Sequence, residues 1–181
     1  MIAVLQRHSE SRGGAVERIE AQVERVGARL TLRYLIVGEL SRVVLPPPGP
    51  PERADRLWEH TCLEAFVRAS ADSGYFELNL APSRAWAAYR FSGYRMDMAV
   101  ARDVVPARIE TRVGEERFEL DATLDLEGPF GLLAGLTWHV GLAVIVEEHG
   151  GRKSYWALVH PTRAPDFHHE DCFALELPPA G

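Results

Sequence analysis

The stretch LWEHTCLEAFVRASADSGYFELNLAPSRAWAAYRFSGYR, Leu57 to Arg95, decides the fold of this 181-residue chain. It contains two of the four tryptophans, two acidic residues embedded in apolar runs, and aromatic residues gathered around a turn. Apolar and polar residues alternate along Leu63 to Val67 and again along Tyr75 to Leu80, a pattern typical of half-buried β-strands. The turn-forming residues SADSG between the two runs predict a β-hairpin.

Outside this stretch the same pattern continues in both directions. Toward the N-terminus, Val16 to Val26 and Leu30 to Val37 flank Gly27 and predict a second hairpin. Toward the C-terminus, Leu136 to Glu147 is rich in valine and isoleucine, which predicts a central strand buried on both faces. About ten short strands with frequent turns, and almost no helical periodicity, predict an all-β fold. We expect an antiparallel β-sandwich, jelly-roll or immunoglobulin-like, formed by residues 1–181 as a single domain.

The composition excludes several classes of function. With 26 acidic and 20 basic residues the formal charge is -6, which argues against nucleic-acid binding. No run approaches the roughly twenty apolar residues of a membrane helix, and the apolar start is too short for a signal peptide. We therefore expect a cytoplasmic protein that binds neither membrane nor nucleic acid. Cys62 and Cys172 lack CxxC spacing; a disulfide between them stays open, and reduced thiols are the default expectation.

Two glutamates are the main candidates for function. Alternation places Glu64 on one face of its strand with Cys62 and Phe66, and Glu77 on one face with Tyr75 and Asn79. If the next segment, Ala85 to Phe91, is a neighbouring strand, one concave surface would collect Glu64, Glu77, Asn79, Trp86 and Arg90. Such a surface suits a sugar, since rings stack on aromatic side chains and hydroxyls bind carboxylate, amide and guanidinium groups. The alternative is a partly buried ion network in which the glutamates pair with Arg68, Arg90 or Arg95.

Catalytic and metal-binding motifs are missing from the sequence. There is no GxSxG, HExxH, P-loop or GxGxxG motif, so we expect no enzymatic activity; a glycosidase that uses the two glutamates is a minor alternative. The segment HPTRAPDFHHEDC, His160 to Cys172, has no recognised metal-ligand spacing. We expect it to form a loop that Phe167 and Phe173 anchor to the core, without a metal.

Five blocks of sequence together resemble one known superfamily. They are TCLEAFV, YFELNLAPSRAWAAYRFSGYR, LAVIVEE, SYWALVH and PDFHHEDCFALEL, spread between Trp58 and Leu177. The chain resembles the DOMON-like superfamily, and within it the bacterial group similar to family 9 carbohydrate-binding modules. The resemblance implies a β-sandwich that binds sugar or haem. It also implies counterparts of two ring-sandwiching tryptophans among Trp58, Trp86 and Trp156, and a haem axial pair of Met96 or Met98 with His168.

The sequence therefore predicts a non-catalytic module that binds a carbohydrate or polyol. Its predicted ligand-binding residues are Glu64, Glu77, Asn79, Trp86, Tyr89, Arg90 and Trp156. The first alternative is a b-type haem protein with Met98 and His168 as axial ligands. The second alternative is a protein-interaction domain without a small ligand, and a homodimer is compatible with each of these functions.

Overall fold

The structure is a computed structural model, and it describes residues 1–69, 74–126 and 135–179. These residues form two antiparallel sheets that pack against each other. The first sheet has the order β1-β3-β4-β10-β9. Its strands are β1 (Ile2–Val4), β3 (Val16–Val26), β4 (Arg29–Gly38), β9 (Pro106–Val113) and β10 (Arg117–Asp125).

The second sheet has eight strands and carries the candidate site. Its order is β2-β12-β11-β5-β6-β7-β8, and β13 pairs with β11 beside the end of β12. Its strands are β2 (Gln6–Arg7), β5 (Cys62–Ala69), β6 (Tyr75–Leu80), β7 (Trp86–Phe91), β8 (Ala99–Val100), β11 (Trp138–Glu147), β12 (Lys153–Ala157) and β13 (Leu175–Leu177). Short 3-10 helices span Leu40–Arg42, Leu57–Glu59 and Glu170–Cys172. The predicted all-β antiparallel sandwich is confirmed.

The main core lies between the two sheets. Every second residue of β4, including Leu32 and Tyr34, is buried there against the inward residues Leu63 and Ala65 of β5. Burial of one such leucine contributes about 1.5–3 kcal/mol. The Tyr34 hydroxyl donates a 2.7 Å hydrogen bond to the backbone carbonyl of Glu64, so its one buried polar atom is satisfied and joins the two sheets.

A second apolar cluster covers the outer face of the eight-stranded sheet. Phe66, Tyr75 and Phe91 project outward from the sheet and pack with Phe167 and Phe173. Both phenylalanines of the C-terminal segment are 7% exposed, which confirms that they anchor the loop. The central strand β11 is consequently buried on both faces, as its sequence predicts. Residues 158–174, named the cover segment below, thus form a third layer over the sheet.

Both cysteines are free and buried. Burial raises the pKa of the Cys62 thiol well above its ordinary value and that of Cys172 to about 11. Neither thiol is therefore a reactive thiolate near neutral pH. Among the described residues, no helix combines the length and the apolar character needed to cross a membrane.

Candidate functional site

A cavity of about 340 Å³ opens on the outer face of the eight-stranded sheet, beside the cover segment. Two acidic residues of β5 and β6, aromatic rings from four parts of the chain and two residues of the β7–β8 loop line it. The lining residues are Trp58, Glu64, Glu77, Phe91, Arg95, Met98, Ile145, Tyr155, Pro165, Phe167 and His168.

The floor of the cavity carries polar groups that the sheet itself does not satisfy. In the β5–β6 register, Glu64 lies opposite Asn79 and Phe66 lies opposite Glu77, so the two glutamates are diagonal neighbours, about 7–8 Å apart at the backbone. Glu64, Glu77 and Asn79 are only 3%, 5% and 0% exposed. The Asn79 amide donates to Glu77 Oε1 at 2.7 Å, whereas Glu64 Oε1 and Asn79 Oδ1 have no hydrogen-bond partner among the described residues. The floor therefore presents buried acceptors that lack donors.

Burial makes both carboxyl groups harder to ionise. It raises the pKa of Glu64 well above the ordinary value, and the charge of neighbouring Glu77 raises it further, although the Cys62 thiol and the charge of Arg95 oppose this effect. Burial likewise raises the pKa of Glu77, although the hydrogen bond from Asn79 and the charge of Arg95 oppose this effect. Two carboxyl groups so placed titrate as a pair, because the ionisation of one disfavours that of the other.

His168 forms one wall as a neutral imidazole. Burial lowers its pKa to about 4. The backbone N–H of Arg95 donates to the Tyr75 hydroxyl at 3.1 Å, and that hydroxyl lies 2.7 Å from His168 Nδ1. The hydroxyl has one proton, and among the described residues Nδ1 is the acceptor within hydrogen-bond distance of it, so the hydroxyl donates to Nδ1 and the ring proton is assigned to Nε2. Nε2 lies 3.8 Å from Glu77 Oε2, so this N–H is directed toward the floor.

Trp58 and Tyr155 supply flat apolar surface to the walls. The Trp58 ring meets Tyr89 edge-on, with centroids 5.7 Å apart, and the Tyr89 hydroxyl donates to Asp55 at 2.6 Å. Tyr155 contacts Phe167 of the cover segment, with centroids 6.4 Å apart. Each ring is thus braced by another aromatic residue, which fixes its orientation in the cavity wall.

Asp166 of the cover segment binds the β7–β8 loop, which forms the rim of the cavity. Arg95 donates to Asp166 Oδ1 at 2.9 Å, and the Tyr94 hydroxyl donates to Oδ2 at 2.6 Å. Although burial opposes it, these hydrogen bonds lower the pKa of Asp166, which is therefore charged at neutral pH. Arg95 has a positive φ of 54°. Such a backbone conformation is strained for arginine and persists because the surrounding contacts hold it.

The structure brings together only part of the predicted ligand set. Glu64 and Glu77 line the cavity, Asn79 lies beside them, and Tyr89 supports Trp58 from behind. The prediction that Trp86 and Arg90 share this surface is wrong. In the β6–β7 register Glu77 lies opposite Tyr89, so Trp86 and Arg90 project from the other face of the sheet.

Trp86 packs against the main core there. Arg90 forms an ion pair with Asp103 at 2.7 Å.

Trp156 is also misplaced by the sequence prediction. It is 4% exposed within the main core, and its indole N–H donates to Ser154 at 2.9 Å. Its neighbour Tyr155 projects from the opposite face of β12 and reaches the cavity. Because side chains alternate along a strand, the buried Trp156 was the signal that Tyr155 faces the cavity. No local pattern identified Pro165 or Phe167 as lining residues.

The alternative arginine network is wrong as well. Among the described residues, neither glutamate forms an ion pair with any of the three predicted arginines. The Arg68 guanidinium lies over the Phe173 ring at 4.9 Å, while Arg90 and Arg95 pair with Asp103 and Asp166. The tandem histidines diverge, because His168 enters the cavity and His169 accepts the backbone N–H of Asp171. Within the described ranges, no group of three or more His, Cys, Asp and Glu side chains could hold a metal ion.

The sequence matches no protein-family model, and it matches no curated protein. Solved structures do match. A proposed carbohydrate-binding protein from Bacteroides uniformis ATCC 8492 has a TM-score of 0.65 at 16% identity, over 95% of this chain and 83% of that one. A family 9 carbohydrate-binding module from Caldicellulosiruptor kristjanssonii, in complex with cellotriose, has a TM-score of 0.54 at 10% identity, over 90% and 74%. The DOMON-like relationship stays a prediction. What these similarities show is the fold, an antiparallel β-sandwich like that of family 9 carbohydrate-binding modules.

Proposed function

We propose that the cavity binds a carbohydrate or related polyol, and that the chain acts as a non-catalytic binding module. The observation that carries the proposal is the unpaired, buried Glu64 Oε1 on the floor of a cavity with aromatic walls. An orphaned acceptor in a folded protein costs free energy, and a ligand hydroxyl that donates to it removes that cost.

The rest of the lining suits the two surfaces of a sugar. The faces of a pyranose ring are apolar and pack on rings such as Trp58 and Tyr155, while its edge carries hydroxyls. Glu64 and Glu77 accept hydrogen bonds from those hydroxyls, and Arg95 at the rim donates to their oxygens. At about 340 Å³ the cavity lies at the small end of the range for ligand pockets. We therefore expect it to hold one end of a sugar chain.

The fold adds independent support. The two similar structures are a proposed carbohydrate-binding protein and a module bound to cellotriose. A shared fold alone does not transfer a ligand, so the argument depends on the lining residues.

A b-type haem is the second candidate, because both predicted axial residues, Met98 and His168, line the same cavity. The residues fit it less well than they fit a sugar. His168 Nδ1 is held by Tyr75, and Nε2 points toward Glu77, so binding of iron would require the ring to turn away from that carboxyl group.

Isothermal titration with glucose, cellobiose and cellotriose tests the first proposal. We expect saturable binding that Trp58→Ala weakens at least about tenfold, since stacking on one aromatic ring contributes on the order of 1.5 kcal/mol. Trp86→Phe, on the other face of the sheet, is the matched control and should bind as the wild type does. Unchanged binding by Trp58→Ala would place the ligand elsewhere. Addition of hemin tests the second candidate: a Soret shift that both Met98→Ala and His168→Ala abolish would favour haem, and a featureless spectrum excludes it.

A further inference from the structure

The charges that line the cavity are unbalanced. Glu64, Glu77 and the rim residue Asp166 are acidic, and among the described residues Arg95 is the one arginine that lines the cavity. Its charge lowers the pKa of both glutamates, but its guanidinium is paired with Asp166 and its side chain is 51% exposed, so it offsets the charge of the floor only in part. His168 adds no positive charge near neutral pH, because burial lowers its pKa to about 4.

The buried floor therefore lacks a cation among the described residues. Two carboxyl groups on neighbouring strands are costly to bury as anions without one, and its absence favours the protonated form of at least one of them. Of the two glutamates, Glu64 has the greater need of a donor, since its Oε1 is unpaired and the residue is only 3% exposed. A hydroxyl can donate one hydrogen bond to this oxygen but brings no charge.

An ammonium group matches the floor better than a hydroxyl. It carries three N–H donors and a full positive charge. Glu64 and Glu77 both line the cavity and supply carboxylate acceptors for it, and Glu64 Oε1 has no partner among the described residues. Hydrogen bonds between charged partners are roughly twice as strong as those between neutral ones, and burial limits their screening by salt.

We infer that the ligand of this cavity carries a protonated amine that binds at Glu64 and Glu77, and that within the proposed sugar function the preferred ligand is an amino sugar. The inference rests on the proposed function and narrows it. The ammonium group takes the place of the proton that the carboxyl pair holds without ligand, and the sugar ring lies against Trp58.

Three matched sugars test the inference by isothermal titration at pH 6.5. Glucosamine carries the ammonium group, glucose has a neutral hydroxyl of similar size in its place, and N-acetylglucosamine keeps the nitrogen in a larger, neutral amide. We expect glucosamine to bind about tenfold more tightly than either of the others. In Glu64→Gln the ratio of glucosamine to glucose affinity should fall to about one, because the amide keeps the shape and removes the charge. Glu24→Gln, an exposed residue of the other sheet, is the control and should keep the wild-type ratio.

The outcomes separate the two proposals. Equal affinity for all three sugars in the wild type overturns the ammonium site and keeps the sugar function. Tight binding of glucosamine that Glu64→Gln leaves unchanged also overturns it, since the amine would then bind elsewhere. Failure of all three sugars to bind overturns both.

Discussion

Replacement of Glu64 by glutamine should stabilise the protein at neutral pH. Glu64 is buried, its Oε1 has no partner, and its pKa is raised well above the ordinary value, first by burial and then by Glu77. The substituted amide has nearly the same shape and no charge. It also brings an N–H donor next to the unpaired Oδ1 of Asn79, which lies directly opposite in the strand register.

The expected gain depends on pH in a defined direction. Since the folded-state pKa of Glu64 lies above the unfolded value of about 4.5, the folded state binds more protons between these two values. The contribution of Glu64 to wild-type stability is therefore fully present below about pH 4.5 and is lost as the pH rises through the folded pKa, by about 1.4 kcal/mol for each unit of elevation. An unsatisfied buried group costs about 1–3 kcal/mol. We expect Glu64→Gln to gain about 2 kcal/mol at pH 7.5, or about 4–8 °C in Tm for a chain of this size.

Urea denaturation and thermal melts of both proteins between pH 4 and pH 8 measure the effect. The two stability curves should lie close together near pH 4 and diverge as the pH rises. Glu24→Gln is the matched control, because this glutamate is exposed, and its free energy of unfolding should change by less than about 0.5 kcal/mol. A loss of stability in Glu64→Gln at pH 7.5, or a difference that does not vary with pH, would refute the reasoning.

Three further predictions concern the wall and the core. The His168 ring should stay neutral to about pH 4 in an NMR titration, and titration near pH 6.5 would contradict the burial argument. Because the folded pKa of His168 lies below the unfolded value of about 6.5, its contribution to stability falls as the pH drops between these values, by up to about 3 kcal/mol. Tyr75→Phe removes the hydroxyl that joins Arg95 to His168 and should cost about 1–2 kcal/mol in urea denaturation, while unchanged stability would mean that this hydrogen-bond chain contributes nothing. Trp156→Phe should lower stability by about 1–3 kcal/mol and leave cellobiose binding intact in isothermal titration, whereas loss of binding with unchanged stability would return Trp156 to the ligand site.

Sequence alternation was sufficient to assign faces within each strand. It placed Glu64 with Phe66, and Glu77 with Tyr75, and both pairs indeed lie on the outer face of the sheet. This worked because the side-chain period of a strand is two, and because the long strands are each marked by apolar runs. The fold class followed from the same pattern, since a chain of short alternating strands has few other ways to bury its apolar residues.

That pattern could not predict which faces of neighbouring strands lie on the same side of the sheet. Trp86 and Arg90 were grouped with Glu77, although the register puts Tyr89 opposite Glu77. The connection between β6 and β7 decides this parity. It contains Pro82 and Arg84, the latter with a positive φ of 72°, and a change of one residue in its length would exchange the two faces of β7. The sequence of β7 itself does not indicate how many residues the β6–β7 connection contains.

The cover segment was harder still to predict, and it is the part that turns a sheet face into a cavity. Its phenylalanines indicated a loop anchored to the core, but the strands that they cover depend on how the chain folds back over the sheet. Without that cover, Glu64 would be more exposed to water, the burial that raises its pKa would be smaller and its unpaired oxygen would cost less. The cover segment thus buries the unpaired carboxyl group on which the proposed binding depends. Burial of this carboxyl group destabilises the ligand-free protein, and a ligand amine that pairs with it would remove that destabilisation. A Glu64→Gln protein that is more stable and no longer prefers the amine would show that the two effects have this common origin.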